Sequence, residues 1–497
     1  MTPPLDHPTG HEPPRVVHGI PLESAPEVSV AIIGAGACGL MTALRLREAS
    51  IDCVVIERDA QPGGSTALSS GLIPAAGTTV QQAAGVIDSV ACFAADIQAK
   101  AKGQAAAHLV PVYCEAVREA IDALSVRYRI PFEVLDGFLY PGHQVRRMHS
   151  VPERTGAALI ARLEAAVRTA GADLLMRAHV TELHVDAADT LIGVGYRRPD
   201  GQIERLRCAA VMLACNGFGG NRHMVADLLP EMSEAVFAGH AGNDGSAIAW
   251  GRELDAGIAD LGGYQGHGSW AVPHNVLISW AVMMAGGIQV NRDGQRFHDE
   301  TQGYSEAAVH VLAQADSIAW TVFDAPILEL ARSFPDFRDA EAAGAVRSAP
   351  DVAALAALIG CQPAMLSDTL ASLMHRRPES DTRSGRIPLH PAGSAQARSF
   401  SRALEAPWYA IKVTGALFHT QGGLDIDARC RVRRHDGSCL ANLWAAGGAA
   451  RGVSGNSVWG YLSGNGLLSA IGGGWIAGAT IAEHLERSRQ PEDSQHG

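Results

Sequence analysis

The chain has 497 residues, 47% hydrophobic and 19% charged, enough to bury a sizeable core spread over two or three domains. Its net charge of −12 argues against nucleic acid or an anionic membrane as the main partner, because binding phosphate-rich surfaces needs clustered positive charge. Nine cysteines without a CxxC pair fit reduced thiols, and no run of about 18 apolar residues appears, so no transmembrane segment is expected.

Residues 1–27 read as an N-terminal extension. MTPPLDHPTGHEPPR lacks the basic start and apolar core of a secretory signal, so a cytoplasmic location is expected. From residue 28 the apolar run VSVAIIG breaks into GAGACG, a helical segment follows, then DCVVIE and GGSTALSSG. That order of strand, tight turn, helix and second strand is a Rossmann-like α/β unit for a dinucleotide. Gly34 allows the turn, Ala35 follows it, Gly36 lets backbone approach a pyrophosphate, and Gly39 permits close packing of helix on strand. The N–H groups near Ala37 and Cys38 face the phosphates with the positive end of the helix dipole behind them. Glu57, followed by Arg58, ends the second strand and can accept hydrogen bonds from a ribose. Cys38 and Cys215 read as small packing side chains in the cofactor turns.

Residues 75–127 are alanine-rich with helical spacing, and GAALIARLEAAVRTA, residues 156–170, is an amphipathic helix by period. LLMRAHVTELHVD, which holds Val180, then GVGYRR and AAVMLACNGFGG alternate strand and turn. The strand from Ala209 through Ala214 to Cys215 ends in Asn216 and Gly217, a second glycine turn expected beside the first. Residues 28–260 are therefore the first part of a cofactor-binding domain. A different texture begins near Gly262 (GGYQGHGSWAVPHN, then GGIQVNRDGQRFHDE) and runs through an alanine-rich helical stretch to about Arg402; residues 261–405 read as an inserted α+β substrate or capping domain. Within it, residues 375–395 look like a polar surface connection. Residues 406–484 return to the first domain with WYAIKVTGALFHT, a GG turn, LWAAGG ending in Gly447 and Gly448, and a Gly-rich segment from Tyr461; residues 485–497 read as a disordered tail. Scattered histidines without HxxxH or an Asp-rich loop predict no metal, and no hydrolase elbow appears.

GAGACG, Glu57, GGST, VNRDGQRF, HTQGGLDID and the Gly-rich C-terminal helix, in that order, resemble the fumarate reductase and 3-ketosteroid dehydrogenase flavoprotein superfamily over roughly residues 28 to 484. The resemblance implies FAD in the dinucleotide domain, completed by the C-terminal segment, with a substrate domain over the flavin. The histidine that carries covalent FAD in succinate dehydrogenases has no counterpart around Ser65 to Ser70, so the FAD is expected to be noncovalent. Gly63, Gly64, Ser65 and Thr66 supply small side chains and hydroxyls for the pyrophosphate and ribityl chain, while Ser69, Ser70 and Gly71 let backbone approach the isoalloxazine. The helix opening at Asn465, Gly466, Leu467 and Leu468 would aim N–H groups at the flavin N1 and O2 edge, where negative charge develops on reduction.

Fumarate reductases resemble one another in a Thr-Glu pair and in an arginine four residues beyond the Glu of RFxxE; this chain has Ser279-Trp280 and Tyr304 instead. Ketosteroid dehydrogenases place tyrosines at the positions matching Tyr304 and Tyr461. Tyr461-Leu462-Ser463-Gly464 is similar to the 3-ketosteroid Δ4-(5α)-dehydrogenases, whereas Δ1-enzymes read Tyr-Pro-Gly. What this implies is Δ4 desaturation of a 3-oxo-5α-steroid. Tyr304 would take the α proton, with Tyr461 and Ser463 as relay or alternative base and the Gly464 N–H on the carbonyl; a free phenol has a pKa of about 10 and needs such support. Trp270, Trp280, Tyr264 and Phe297 would line an apolar slot, and an external acceptor, a quinone or electron-transfer protein, would take the electrons. Other readings stay open: a Δ1-dehydrogenase; a smaller cyclic ketone such as an oxocyclohexane carboxylate, or an enoate reductase, with Arg146, Arg147 and His149 as carboxylate partners; and a flavin carrier without catalysis. His419 is either near substrate or a buried strand histidine; His267 and His143 have weaker claims. Glu300 and Arg296 are expected to pair and fix the RFHDE turn, and Asp244 to cap its loop.

Overall fold

In the computed structural model residues 13–136, 139–373, 398 and 400–489 are described. They divide into two compact units: Met1–Leu229 with Gly239–Gln265 and Phe418–Gly497, and Pro230–Ala238 with Gly266–Leu417. Two of the four passages of the chain from one to the other fall inside the strands Tyr264–Ala271 and Trp408–Thr420.

In the first unit Glu27–Ile33 runs parallel to Cys53–Ile56 on one side and Ile203–Leu213 on the other, in a sheet of nine strands among the described residues. Val30 to Ile33 are at most 5% exposed, as expected for parallel strands covered on both faces. Ile33 lies opposite Ile56 and Leu213, and Ala445 opposite Leu213, so Gly34, Glu57, Ala214 and Ala446 all follow at the same edge. In open α/β sheets that carboxyl edge is where ligands bind. The meander His179–Val185, Leu191–Arg197 and Ile203–Leu213 completes the sheet, and Arg15–His18 pairs with its outer strand.

The helix Ala37–Glu48 packs along the C-terminal helix Asn465–Arg489. Gly474 makes that approach possible: a Cβ there would run into the Cys38 carbonyl, and Thr42 Oγ1 instead donates to the Gly474 carbonyl at 3.2 Å. This helix does not stop at the tail expected from residue 485. Ile481, Ala482 and Leu485 continue its apolar spacing and are buried, and Arg429 pairs with Glu483 at 2.5 Å, so helix persists to Arg489; residues 490–497 lie outside the described residues.

The second unit is built on a sheet of seven strands among the described residues, with Tyr264–Ala271, Trp408–Thr420, Ala319–Asp324 and Ile288–Val290 in spatial order. Ala319–Asp324 falls in the stretch read as alanine-rich helix. Its inner residues, WTVF, are strand formers, and the segment pairs antiparallel with Trp408–Val413. Val236 and Phe237, read with the first domain, pair in parallel with Ala416 and Leu417 of the second sheet. The polar connection at 375–395 lies outside the described residues. Among the described residues no single helix is long and apolar enough to cross a membrane, and all nine cysteines are free thiols.

Gly474→Leu is expected to cost about 1–3 kcal/mol by overpacking the two helices. A lowered urea midpoint with unchanged helix content by circular dichroism would check it.

Candidate active site

At the carboxyl edge of the first unit, missing Cβ atoms shape the cradle. Gly34 has φ +107°, and a Cβ there would lie 2.6 Å from the Ala214 carbonyl oxygen; one on Gly39 would overlap the Gly34 carbonyl. At Gly36 the space is open, with Thr66 Oγ1 and the Gly63 carbonyl the nearest atoms at 3.7 and 3.9 Å. Glu57 is held from two sides, accepting from the Ala35 N–H at 2.7 Å and the Asp59 N–H at 3.0 Å, which leaves each carboxylate oxygen a further lone pair. The Ala37 N–H donates to Thr66 Oγ1, whereas those of Cys38 and Gly39 have no partner among the described residues.

Ser65 Oγ accepts from both Asn216 Nδ2 and Asn243 Nδ2, each at 2.9 Å, so its own proton is left to donate outward. Asn216 sits at φ 67° and takes the Gly217 N–H on its Oδ1; a Cβ on Gly448 would overlap that same oxygen, so the Gly447-Gly448 turn packs directly on it. Ser69 serves its own turn, donating to the Thr66 carbonyl and accepting from the Gly71 N–H, while Ser70 is exposed. Val180 is buried opposite Tyr196. Asp244 caps Ser246 as expected and also pairs with Arg58 at 2.9 Å; against the upward push of burial, Arg58 and Ser246 hold its carboxyl below the usual range. Burial pushes Cys215 up to about 12, and Cys38 well above its ordinary value, so both thiols stay protonated packing groups.

Beside this cradle the chain reaches the C-terminal helix. Tyr461 Oη donates to Gln265 Oε1 at 2.9 Å, and the Ser463 carbonyl accepts from His143 Nε2 at 2.9 Å. Gly464 adopts φ +89° with Pro74 against it. The N–H groups of Gly464, Gly466 and Leu467 have no partner among the described residues, and Asn465 Oδ1 and Ser469 Oγ are buried without one. Buried polar groups are almost always paired, so Asn465 Oδ1 and Ser469 Oγ mark a place for a polar ligand beside the helix start. With the N–H groups of Cys38 and Gly39 and the outward Ser65 hydroxyl, the N–H groups at this helix start offer donors that fit a polar, anionic cofactor such as FAD. The His419 ring lies over Gly466 and 5.8 Å from the Tyr461 ring; burial pushes it down to about 4, so it is neutral.

In the second unit Tyr304 opens the helix Tyr304–Leu312 and is 8% exposed. Its ring stacks on His267 at 4.9 Å, and Trp280 stands edge-on to both. His267 Nδ1 accepts from the Ser269 N–H, which places the ring proton on Nε2, and burial pushes the pKa down to about 3. The sequence reading gave His267 little weight; a neutral donor stacked on Tyr304 is what the fold makes of it. Trp280 Nε1 donates to the Glu300 carbonyl at 3.1 Å. The buried Glu300 carboxylate accepts from Arg296, from Arg398 at 3.0 Å and from the Gln289 N–H, and these partners hold it down to about 2 against the opposing effect of burial. RFHDE is thus a fixed turn leading into Tyr304. Trp270 and Phe297 are half-buried, the latter against His298.

The residues assigned to a substrate carboxylate do not suit that role. Arg147 is fully buried, tied to Asp88 at 2.9 Å and Asp96 at 2.6 Å, and His149 is buried against Thr78 and the Arg147 carbonyl with its pKa pushed down to about 4. Arg146 is exposed. Sequence reasoning missed Asn243, Gln265 and the support His143 gives Ser463. Each is a single polar residue in an unremarkable segment, so spacing carried no signal for it.

A family model described as FAD binding domain matches residues 29–467. The chain is 26% identical over 475 residues to a fumarate reductase (cytochrome) of Shewanella frigidimarina, covering 94% of this chain and 79% of that protein. Its structure is similar to the open conformation of a flavocytochrome c3 fumarate reductase, with TM-score 0.74 and 25% identity, covering 92% and 78% of the two chains. It shares the fold of 3-ketosteroid-Δ4-(5α)-dehydrogenase from Rhodococcus jostii RHA1 in complex with 4-androstene-3,17-dione, with TM-score 0.71 and 23% identity, covering 92% and 97%.

Asn243→Ala removes one of the two donors to Ser65 and is expected to weaken FAD about tenfold, roughly 1.4 kcal/mol, read by titrating apoprotein with FAD. Glu300, whose folded pKa of about 2 lies below the unfolded value of about 4.3, contributes stability that is fully present above pH 4.3 and lost as pH falls toward 2, about 3 kcal/mol in all. Glu300→Gln should therefore lower the urea midpoint at neutral pH, with the gap to wild type narrowing across that acid window.

Proposed function

Because the chain belongs to the FAD binding domain family, we propose that this FAD-dependent oxidoreductase desaturates a cyclic ketone, introducing the Δ4 double bond of a 3-oxo-5α-steroid. Its coarser class, that of the fumarate reductases and ketosteroid dehydrogenases acting between CH–CH and C=C, comes from the family and its relatives. The observation that carries the ketone reading is neutrality. His267 and His419 are both uncharged, Arg296 and Arg398 are bound to Glu300, and Arg451 is bound to Asp260 at 2.8 Å and Asp425 at 2.9 Å. Clamping carboxylates needs cationic, forked donors free to turn to substrate; an apolar ketone needs neutral donors and aromatic walls.

Glu57, Ser65 and the start of the C-terminal helix would hold FAD without a covalent link, and the bound cofactor would supply the acceptor for the hydride from the β carbon. Tyr304 takes the α proton as its phenolate is converted to phenol, and the electron pair released passes through the enolate into the new C=C bond as that hydride leaves. Tyr461 donates its proton to Gln265 Oε1, which favours a donor over a base and leaves the base role with Tyr304. The Gly464 N–H, free of protein partners among the described residues, stabilises the enolate oxygen. The electrons would leave to an external acceptor, a quinone or an electron-transfer protein.

A second reading rests on the fumarate reductase that matches across most of its length: the same groups, run in reverse, reduce an enoate, with Tyr304 as proton donor. Anaerobic mixing separates the two. With 5α-androstane-3,17-dione the flavin absorbance should bleach; no bleaching with any cyclic ketone, together with reoxidation of chemically reduced flavin by an unsaturated carboxylate, would overturn the ketone reading. Tyr304→Phe should slow ketone-driven bleaching by about 10²–10⁴-fold at unchanged FAD content.

A further inference from the structure

Four polar side chains of the first unit form an unbroken chain. Asn465 Nδ2 donates to Ser454 Oγ at 2.9 Å, Ser454 Oγ donates to Gln421 Oε1 at 3.0 Å, and Gln421 Nε2 lies 3.2 Å from His419 Nδ1. Asn465, Ser454 and Gln421 are no more than 3% exposed, so water does not compete for these bonds. The polarity propagates. Ser454 has one proton, and having accepted from Asn465 it gives that proton to Gln421 Oε1, which leaves the amide N–H₂ of Gln421 facing the ring. Nδ1 must then accept, and the proton of the neutral imidazole sits on Nε2. The other neighbour of Nδ1, the Thr420 carbonyl, is farther away at 3.4 Å, and a proton on Nδ1 would set two donors against each other at the Gln421 contact.

The ring edge that carries this proton lies over Gly466, where an added Cβ would come within 2.7 Å of Cε1 and Nε2. The N–H groups of Gly466 and Leu467, which have no partner among the described residues, open the helix at the same place. We propose that Gln421 and Ser454 are positioning residues that hold His419 as the Nε2–H tautomer, so that an uncharged donor joins the N–H groups of the helix start in stabilising the reduced flavin at its N1 and O2 edge. The tautomer follows from the hydrogen-bond chain alone; its role rests on the flavin assignment made above and not on the steroid reading.

The test uses holoenzyme with no ketone present, so failure of the desaturase reading leaves it intact. In wild-type protein carrying [¹⁵N]histidine, the ring identified by its loss in His419→Gln should show a pyridine-type Nδ1 and a pyrrole-type Nε2 at neutral pH. Gln421→Leu should reverse that pattern, the proton moving to Nδ1 and the Thr420 carbonyl, and shift the flavin midpoint potential to a more negative value. Ser454→Ala, which touches neither ring nor helix backbone, should give a mixture of tautomers and a smaller shift in the same direction. A wild-type ring protonated at Nδ1 overturns the proposal. So does a Gln421→Leu protein that keeps its FAD with tautomer and potential unchanged; if that variant loses FAD, the wild-type spectrum and Ser454→Ala decide.

Discussion

The first unit depends on backbone meeting backbone at the carboxyl edge of its parallel strands. Gly34 against the Ala214 carbonyl, Gly39 against the Gly34 carbonyl and Gly448 against Asn216 leave no room for a Cβ. What these positions supply is closeness, since glycine itself contributes no attraction. Closeness lets two helices whose first N–H groups, at Cys38 and Gly39 and at Gly466 and Leu467, have no partner among the described residues pack side by side. The apolar strands behind them bury enough surface to keep that edge rigid, and the Gly474 contact holds the two helices side by side.

Charge is managed by internal pairing. Glu300 gathers Arg296 and Arg398, Asp88 and Asp96 enclose Arg147, and Asp260 with Asp425 takes Arg451. A buried ion pair contributes little net stability, yet losing one member is costly because the other is left uncompensated, so such pairs fix geometry. Around Glu300 the geometry fixed is that of Trp280 and of the turn leading into Tyr304.

Two histidines reach neutrality by different locks. His267 is set by a backbone N–H from Ser269, a donor that cannot be reversed. His419 is set by side chains whose amides could in principle turn, so its proton position depends on a whole chain of partners. One is a property of a strand, the other of a network.

The α/β class, the glycine turn at Gly34 to Gly39, the end of the second strand at Glu57, the turn at Asn216 and the helix start at Asn465 were legible in the sequence because each is a local spacing, with glycine where backbone must approach and apolar residues at period two or 3.6. The Arg296–Glu300 pair was legible for the same reason, being four residues apart. Where local signals conflicted, tertiary structure decided. AWTVFD became a strand because Trp408–Val413 was there to pair with it, and the C-terminal helix ran on to Arg489 because Leu485 had a core to enter. Arg147 looked available for a substrate until Asp88 and Asp96, 59 and 51 residues away, closed on it. Asn243 on Ser65, His143 on Ser463 and Gln265 on Tyr461 are likewise separated by 178, 320 and 196 residues. No spacing rule spans such distances: hydrogen-bond partners far apart along the chain are chosen by how the sheets pack, and that choice exists only once the chain has folded.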